Sequence, residues 1–181
     1  MNYFDLHCDT AYEMYMKEVA TVIKDFCKEN NLSVPMILIE PGRSIVGAAG
    51  ITLYKIGAVK EIRNVRNYVS IDGGMGDNPR YALYQSDYEV IVANKADKPR
   101  DYVATIAGKC CESGDLIQEN TKIANPGKGD TLAVLSTGAY NYSMASNYNR
   151  IPRPEMIMIK DKKPYTIIKR ETYEDIVRND I

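Results

Sequence analysis

After Gly50 the chain is built of short segments rich in β-branched and aromatic residues, and this pattern most constrains its fold. Gly, Pro, Asn and Asp residues separate the segments, as they do where a chain turns from one strand into the next. The pattern predicts a mainly β domain, either a sandwich or a barrel. The predicted strands cover residues 51–56, 68–71, 90–93, 102–106 and 132–135, and a hairpin of residues 156–159 and 165–168 follows.

The first fifty residues have a different pattern. Apolar residues recur at helical spacing, which predicts an amphipathic helix over about residues 11–29, with a capping box at Thr10 and Glu13 and a stop at residues 30–31. The short apolar run at 36–39 predicts a buried strand. A helix, a buried strand and then polar residues at its end is the order found in a (β/α)8 barrel.

Composition limits the classes of function. A chain of 181 residues fits one domain, or one domain with a fragment of another. Its net charge of −1 argues against nucleic-acid or membrane-surface binding, because both need a concentrated positive field. Four cysteines without a Cys-x-x-Cys pair, and one histidine, predict free thiols in a reducing cytoplasm and no zinc site. We expect no signal peptide and no membrane span.

Three blocks carry residues suited to anion binding and acid–base chemistry. Residues 40–43 (Glu-Pro-Gly-Arg) join a rigid turn, a glycine that permits close approach to a ligand, and a guanidinium that can bind a carboxylate or phosphate. Arg80 and Tyr84 are four residues apart, so on a helical turn they share a face that suits a carboxylate. In residues 108–115 a thiol stands beside a carboxylate, although Cys110 and Cys111 compete for the acid's role.

These blocks, followed by residues 136–140 and 146–150, resemble in their order the C-terminal part of diaminopimelate decarboxylase. That family belongs to the pyridoxal-phosphate (PLP) enzymes of the alanine racemase-like barrel class. The resemblance runs from about Glu18 to the C-terminus. It implies the end of the PLP-binding barrel at 18–50, with its last strand, and a Greek-key β domain at 51–181, after an unmatched leader at 1–17.

The resemblance also implies a role for each site residue. Cys111 would return a proton to the α-carbon of the substrate after decarboxylation. The cofactor PLP would be contacted by Glu40 at its pyridinium nitrogen, by Gly42 at its phosphate, and also by Pro41, Arg43 and Tyr140. The substrate meso-diaminopimelate would be held at its far end by Arg43, Arg80, Tyr84 and Glu112, and also by Tyr140. In the family, Cys111 and Glu112 reach into the partner subunit's site, so a homodimer is expected.

Some features of the resembled family have no counterpart in this sequence. We find no match for its cofactor-binding lysine, its stacking histidine or its glycine-rich phosphate loop. We therefore expect the chain alone to be inactive. Residues 3–10 resemble the start of the membrane dipeptidases, in which His7 and Asp9 would be zinc ligands, but the rest of that metal site is missing.

The sequence thus indicates a fragment of a PLP-dependent carboxy-lyase that converts meso-diaminopimelate to L-lysine in lysine biosynthesis. Ornithine and arginine decarboxylases fit less well, because their substrates lack the second carboxylate. Two alternatives are a non-catalytic β domain that pairs with an intact subunit, and a degenerate gene product.

Overall fold

The computed structural model describes residues 8–181, and side chains from Glu13 onward. The chain divides into two compact units, one ending at Glu40 and the other formed by Pro41–Ile181.

The first unit contains the predicted helix. Helix α1 covers Cys8–Glu29, and Asn31 ends it in the left-handed conformation (φ 51°), as helix C-termini often do. The stop was therefore predicted correctly. The capping box was not, because Thr10 lies inside the helix and not at its start.

The strand predicted at 36–39 does not form. These residues lie outside any strand, and Met36 and Leu38 are 87% and 86% exposed. A strand needs a neighbour to accept and donate its backbone hydrogen bonds. The described chain offers none here, so an apolar run alone was not sufficient evidence for a buried strand.

The second unit is mainly β, as predicted. Its helices are short: α2 (Gly42–Val46), α3 (Arg80–Tyr84), α4 (Asn141–Met144) and α5 (Tyr173–Val177). The strands are β1 (Thr52–Ile62), β2 (Arg66–Ile71), β3 (Val90–Val92), β4 (Tyr102–Ala107), β5 (Leu116–Ile123), β6 (Thr131–Val134), β7 (Met156–Lys160) and β8 (Lys163–Ile168).

Strands β1 to β6 form one sheet in the order β3-β6-β1-β2-β4-β5. All neighbours are antiparallel except β2 and β4, which are parallel. The edge strands β3 and β5 pack against each other. Gln118 of β5 also accepts a hydrogen bond from Tyr88 N, just before β3, at 3.0 Å. The sheet is therefore nearly closed and barrel-like.

The core fills the inside of this sheet. In β1, Tyr54 and Ile56 are buried while Lys55 between them is exposed, which is the alternation expected of a sheet with one buried face. The largest fully enclosed apolar side chains are β-branched or leucine, as the composition of the predicted strands implied: Ile56, Val69, Val90, Val92, Ile106, Ile117, Ile123, Leu132 and Val134.

The C-terminal hairpin also matches its prediction. Strands β7 and β8 form a separate antiparallel hairpin, whose turn residues Asp161 and Lys162 are both left-handed (φ 51° and 63°), as tight hairpins require. Helix α5 has a capping box in which Asp175 N donates to Thr172 Oγ1 at 3.2 Å, and Thr172 N donates to Asp175 Oδ2 at 2.8 Å.

Candidate functional site

Close packing of two glycines brings the 42–50 segment onto the loop before α4. Thr137 N donates to Gly50 O at 2.9 Å, and Gly138 N donates to Gly47 O at 3.0 Å. A Cβ built at Gly50 would overlap Gly138 Cα, and one built at Gly138 would overlap the carbonyl oxygen of Val46. Glycine at both positions permits this backbone approach, and the approach places Tyr140 beside the start of α2.

Gly138→Ala should therefore lower stability. The added methyl has to displace backbone and not a flexible side-chain end, so we expect a loss of about 1–3 kcal/mol. The midpoint of thermal unfolding of the purified chain measures it. Gly114→Ala is the matched control, because a Cβ there meets no atom within 4 Å. Equal midpoints for the two variants would show that the close approach does not form.

Tyr140 is the centre of the first group of site residues. The guanidinium carbon of Arg43 lies 5.2 Å from its ring centroid, and that of Arg80 lies 5.5 Å away. Arg80 also lies 4.8 Å from the ring centroid of Tyr84, so these two residues share a face of α3 as predicted. A Cβ built at Gly42 would lie 3.2 Å from Tyr140 Oη. Five predicted site residues thus come together.

The backbone of Tyr140 is unusual. Its φ of 70° and ψ of −21° place a bulky residue in the left-handed region, which costs free energy and is found mostly where the surroundings impose it. Here its carbonyl accepts the hydrogen bond from Met144 N at 3.1 Å at the start of α4. The strained backbone directs the half-exposed ring between the two guanidiniums.

Neither Arg43 nor Arg80 forms an ion pair with a described residue. Arg80 Nη1 meets only the sulfur of Met144, at 3.7 Å, and its buried Nε has no hydrogen-bond partner among the described atoms. A buried donor on a charged group is costly when it lacks an acceptor. This pair of guanidiniums is therefore suited to bind a carboxylate or phosphate supplied from outside.

A second group lies on the loop of residues 108–115. Cys111 is exposed, whereas Cys110 is half-buried. Burial, and after it the negative charge of Asp115, raises the pKa of the Cys110 thiol. Cys111 is thus the thiol that a ligand can reach.

The carboxylate of Glu112 accepts a hydrogen bond from a tyrosine of the 146–150 block. Tyr148 Oη donates to Glu112 Oε1 at 2.6 Å. This hydrogen bond is the main reason that the pKa of Glu112 is lowered, and it raises the pKa of Tyr148 to about 12. At neutral pH the pair is therefore a carboxylate bound by a neutral phenol, and the carboxylate can attract an ammonium group.

Among the described side chains, no hydrogen bond, ion pair or ring contact joins the group around Tyr140 to the group around Cys111.

Pro41 caps the start of α2, and its carbonyl accepts a hydrogen bond from Ser44 Oγ at 2.6 Å. Glu40 ends the first unit, is exposed and forms no ion pair with a described residue.

Two buried asparagines that sequence reasoning missed hold the first group together. Asn141 Nδ2 donates to Asn78 Oδ1, and Tyr88 Oη donates to Asn141 Oδ1 at 3.2 Å. Asn78 precedes α3 and Asn141 begins α4, so this contact fixes Arg80 relative to Tyr140. Polar residues in loops are mostly exposed, and the only available signal was their position, since Asn78 lies two residues before Arg80 and Asn141 directly follows Tyr140.

Neither a metal-binding cluster nor a membrane-spanning helix is found among the described residues. Within residues 8–181, no three His, Cys, Asp or Glu side chains that the structure describes are grouped so as to hold a metal ion. His7 lies outside the described residues, as does the side chain of Asp9. None of the described helices has both the length and the apolar character needed to cross a membrane.

Comparison with known proteins identifies the domain. Residues 8–138 match the family described as pyridoxal-dependent decarboxylase, C-terminal sheet domain. Diaminopimelate decarboxylase of Bacillus subtilis is 48% identical over 167 residues, which are 92% of this chain and 38% of the relative. The enzyme of the same name from Synechocystis is 42% identical over 94% of this chain and 36% of its own length. The chain thus spans little more than a third of these relatives.

A solved structure agrees with this assignment. Diaminopimelate decarboxylase of M. jannaschii in complex with L-lysine superimposes with a TM-score of 0.74 at 37% identity, over 84% of this chain and 35% of that one. The family resemblance read from the motifs is therefore confirmed. The chain belongs to the pyridoxal-dependent decarboxylase family and corresponds to its C-terminal sheet domain.

Proposed function

We propose that this chain forms the substrate-recognition and proton-donating part of a diaminopimelate decarboxylase, which releases CO2 from meso-diaminopimelate to give L-lysine. The observation that carries the proposal is the pair of guanidiniums around Tyr140, neither of which has an anionic partner in the described chain. The names of the relatives supply the reaction, and this geometry supports a ligand with carboxylate groups.

The residues of the first group fit PLP. Gly42 has no side chain, the hydroxyl of Tyr140 lies close to it, and the guanidinium of Arg43 lies over the Tyr140 ring. This is the set of donors that a phosphate prefers. By the resemblance, Glu40 would bind the pyridinium nitrogen and Pro41 would contact the cofactor. When bound, PLP accepts the electron pair that the departing CO2 leaves behind.

The substrate differs from other amino acids in carrying an ammonium and a carboxylate at its far end. Arg43, and Arg80 with Tyr84, would bind the distal carboxylate. Glu112 would bind the distal ammonium group, since its lowered pKa keeps it ionised. Recognition of both charges excludes ornithine and lysine, whose side chains end in an ammonium alone.

Cys111 would donate the proton that replaces CO2 on the α-carbon. A thiol is a stronger acid than a hydroxyl and can give its proton up to a carbanion. The exposure of Cys111 supports this assignment over Cys110, which is half-buried.

The two groups of residues would meet across a homodimer. Within the described chain they do not contact each other, which is consistent with Cys111 and Glu112 completing the partner subunit's site. In this proposal residues 18–50 end the PLP-binding barrel, residues 51–181 are the β domain, and residues 1–17 are an unmatched leader. We also propose that the enzyme is cytoplasmic, which cell fractionation tests.

A chimera tests the proposed function. In it, the N-terminal part of the Bacillus subtilis relative precedes residue 18 of this chain. That part supplies the region of the relative that this chain does not match. The purified chimera should bind PLP and release lysine from meso-diaminopimelate. Absence of lysine from a folded chimera that binds PLP would contradict the proposal.

Arg80→Ala in the chimera should weaken the use of diaminopimelate. It removes a charged hydrogen-bond donor worth about 1.5–3 kcal/mol, which corresponds to a loss of about 10- to 150-fold in kcat/KM. Steady-state kinetics with meso-diaminopimelate measures it. Arg100→Ala is the matched control, because Arg100 pairs with Glu89 at 2.7 Å and its side chain is exposed. If kcat/KM is the same in both variants, Arg80 does not contact the substrate.

A further inference from the structure

Asp115 is a buried carboxylate that has no role in the proposed function. It is 2% exposed and forms no ion pair with a described residue. Instead, its Oδ1 accepts a hydrogen bond from Met75 N at 2.6 Å, and its Oδ2 accepts one from Cys110 N at 2.7 Å. Hydrogen bonds to an ionised acceptor are stronger than neutral ones, so the carboxylate links two loops firmly.

The backbone of Asp115 closes the loop that carries the thiol. Gly108 N donates to Asp115 O at 2.8 Å, and Asp115 N donates to Glu112 O at 3.0 Å. Together with the side-chain bond to Cys110, three hydrogen bonds run from this residue into the loop. The backbone on both sides of Cys111 is therefore fixed by Asp115.

Two glycines leave the space that the Asp115 carboxylate occupies. A Cβ built at Gly74 or at Gly108 would overlap the Asp115 carboxylate. Lys109 N donates to Gly73 O at 3.1 Å and provides a second link between the two loops. The glycines therefore let both backbones come close enough for their N–H groups to reach the same side chain.

We propose that Asp115 is a positioning residue, which fixes the directions of the Cys111 and Glu112 side chains by binding the backbone N–H groups of Met75 and Cys110. The significance of this role for catalysis rests on the proposed function. The chemistry requires a carboxylate, because both partners are donors. In Asp115→Asn the amide nitrogen would face one of these N–H groups, so one hydrogen bond would be replaced by a repulsion.

The reactivity of the two thiols tests the proposal in the 181-residue chain. Iodoacetamide alkylation is followed by tandem mass spectrometry, which separates the adjacent positions. In the unmodified sequence, Cys111 should react about tenfold faster than Cys110, because Cys111 is exposed whereas Cys110 is half-buried and burial raises the pKa of its thiol. In Asp115→Asn this ratio should fall at least about threefold, because the loop opens and exposes Cys110 and because loss of the Asp115 charge lowers the pKa of its thiol.

Asp130→Asn is the matched control. Asp130 also binds a backbone N–H, that of Gly127 at 2.7 Å, but it lies outside the loop. It should lower the unfolding midpoint and leave the thiol ratio unchanged. An unchanged ratio in folded Asp115→Asn would overturn the proposal, because Asp115 would then contribute stability alone. No PLP or substrate is needed, so this result is independent of whether lysine is produced.

If Asp115→Asn does not fold, hydrogen exchange in the unmodified chain tests the proposal instead. In the unmodified chain, the amides of Met75 and Cys110 should exchange at least about tenfold more slowly than the amide of exposed Ser113. Equally fast exchange of all three would overturn the proposal, and slow exchange of the first two would support it.

Discussion

Cys111→Ala in the chimera is expected to lower kcat for meso-diaminopimelate by about 100-fold or more, since general acid catalysis contributes about 10²–10⁴-fold. Cys110→Ala should change it by less than about threefold, because its thiol takes no part in the reaction. KM should change little in either variant, because neither thiol is proposed to bind the substrate. Initial rates of lysine release, measured at saturating substrate, give both values.

The structural basis for this difference is the environment of the two thiols. Cys111 is exposed at the tip of the 108–115 loop, while Cys110 is half-buried and has a raised pKa. A thiol with a raised pKa gives up its proton less readily. Both features favour Cys111 as the acid, although the two residues are chemically identical and adjacent in the sequence.

Cys111→Ser serves as the matched control. A serine hydroxyl has nearly the same shape, but it is much less acidic than a thiol. We expect Cys111→Ser to be almost as slow as Cys111→Ala. Full activity in Cys111→Ser would show that the residue acts through packing, and a larger loss in Cys110→Ala would show that Cys110 is the acid.

The fold of the β domain was largely predictable, and the exceptions have a physical cause. Segments rich in β-branched residues, such as β4 and β6, were found within a residue or two of their bounds. Strand β5 was missed because Gln118 and Glu119 interrupt its apolar pattern. The burial of Gln118 is made possible by Asp87 and the backbone of Tyr88, which lie about thirty residues away. No local pattern reveals such partners.

The contacts within the site were also only partly predictable from the sequence. The spacing of Arg80 and Tyr84 was sufficient to predict their contact, because a single helical turn determines it. The approach of Arg43 and Arg80 to the same tyrosine was not predictable from spacing, since it depends on the Gly50–Gly138 contact and the Asn78–Asn141 hydrogen bond. The resemblance named these residues, but only the structure shows which of them lie together.

The 181-residue chain by itself is expected to release no lysine from meso-diaminopimelate. PLP catalysis of this kind begins with a covalent bond between the cofactor and a lysine amine. In the resembled family that lysine and the phosphate loop lie in the part that this chain does not match. Glu40, Gly42 and Tyr140 could contact PLP but would not enclose it. In a dimer of such chains, Cys111 would face a partner that also lacks these elements.

Two measurements together test this expectation. The chain is incubated with PLP, treated with borohydride and mapped by peptide mass spectrometry, while CO2 and lysine are assayed in parallel with the chimera as the positive control. Scattered substoichiometric labelling of exposed lysines is expected, because any accessible amine reacts slowly with an aldehyde. Labelling of one lysine at one equivalent, together with CO2 release, would contradict the expectation. The catalytic lysine would then be one of those in residues 1–181, and the assignment of roles by resemblance would be incomplete.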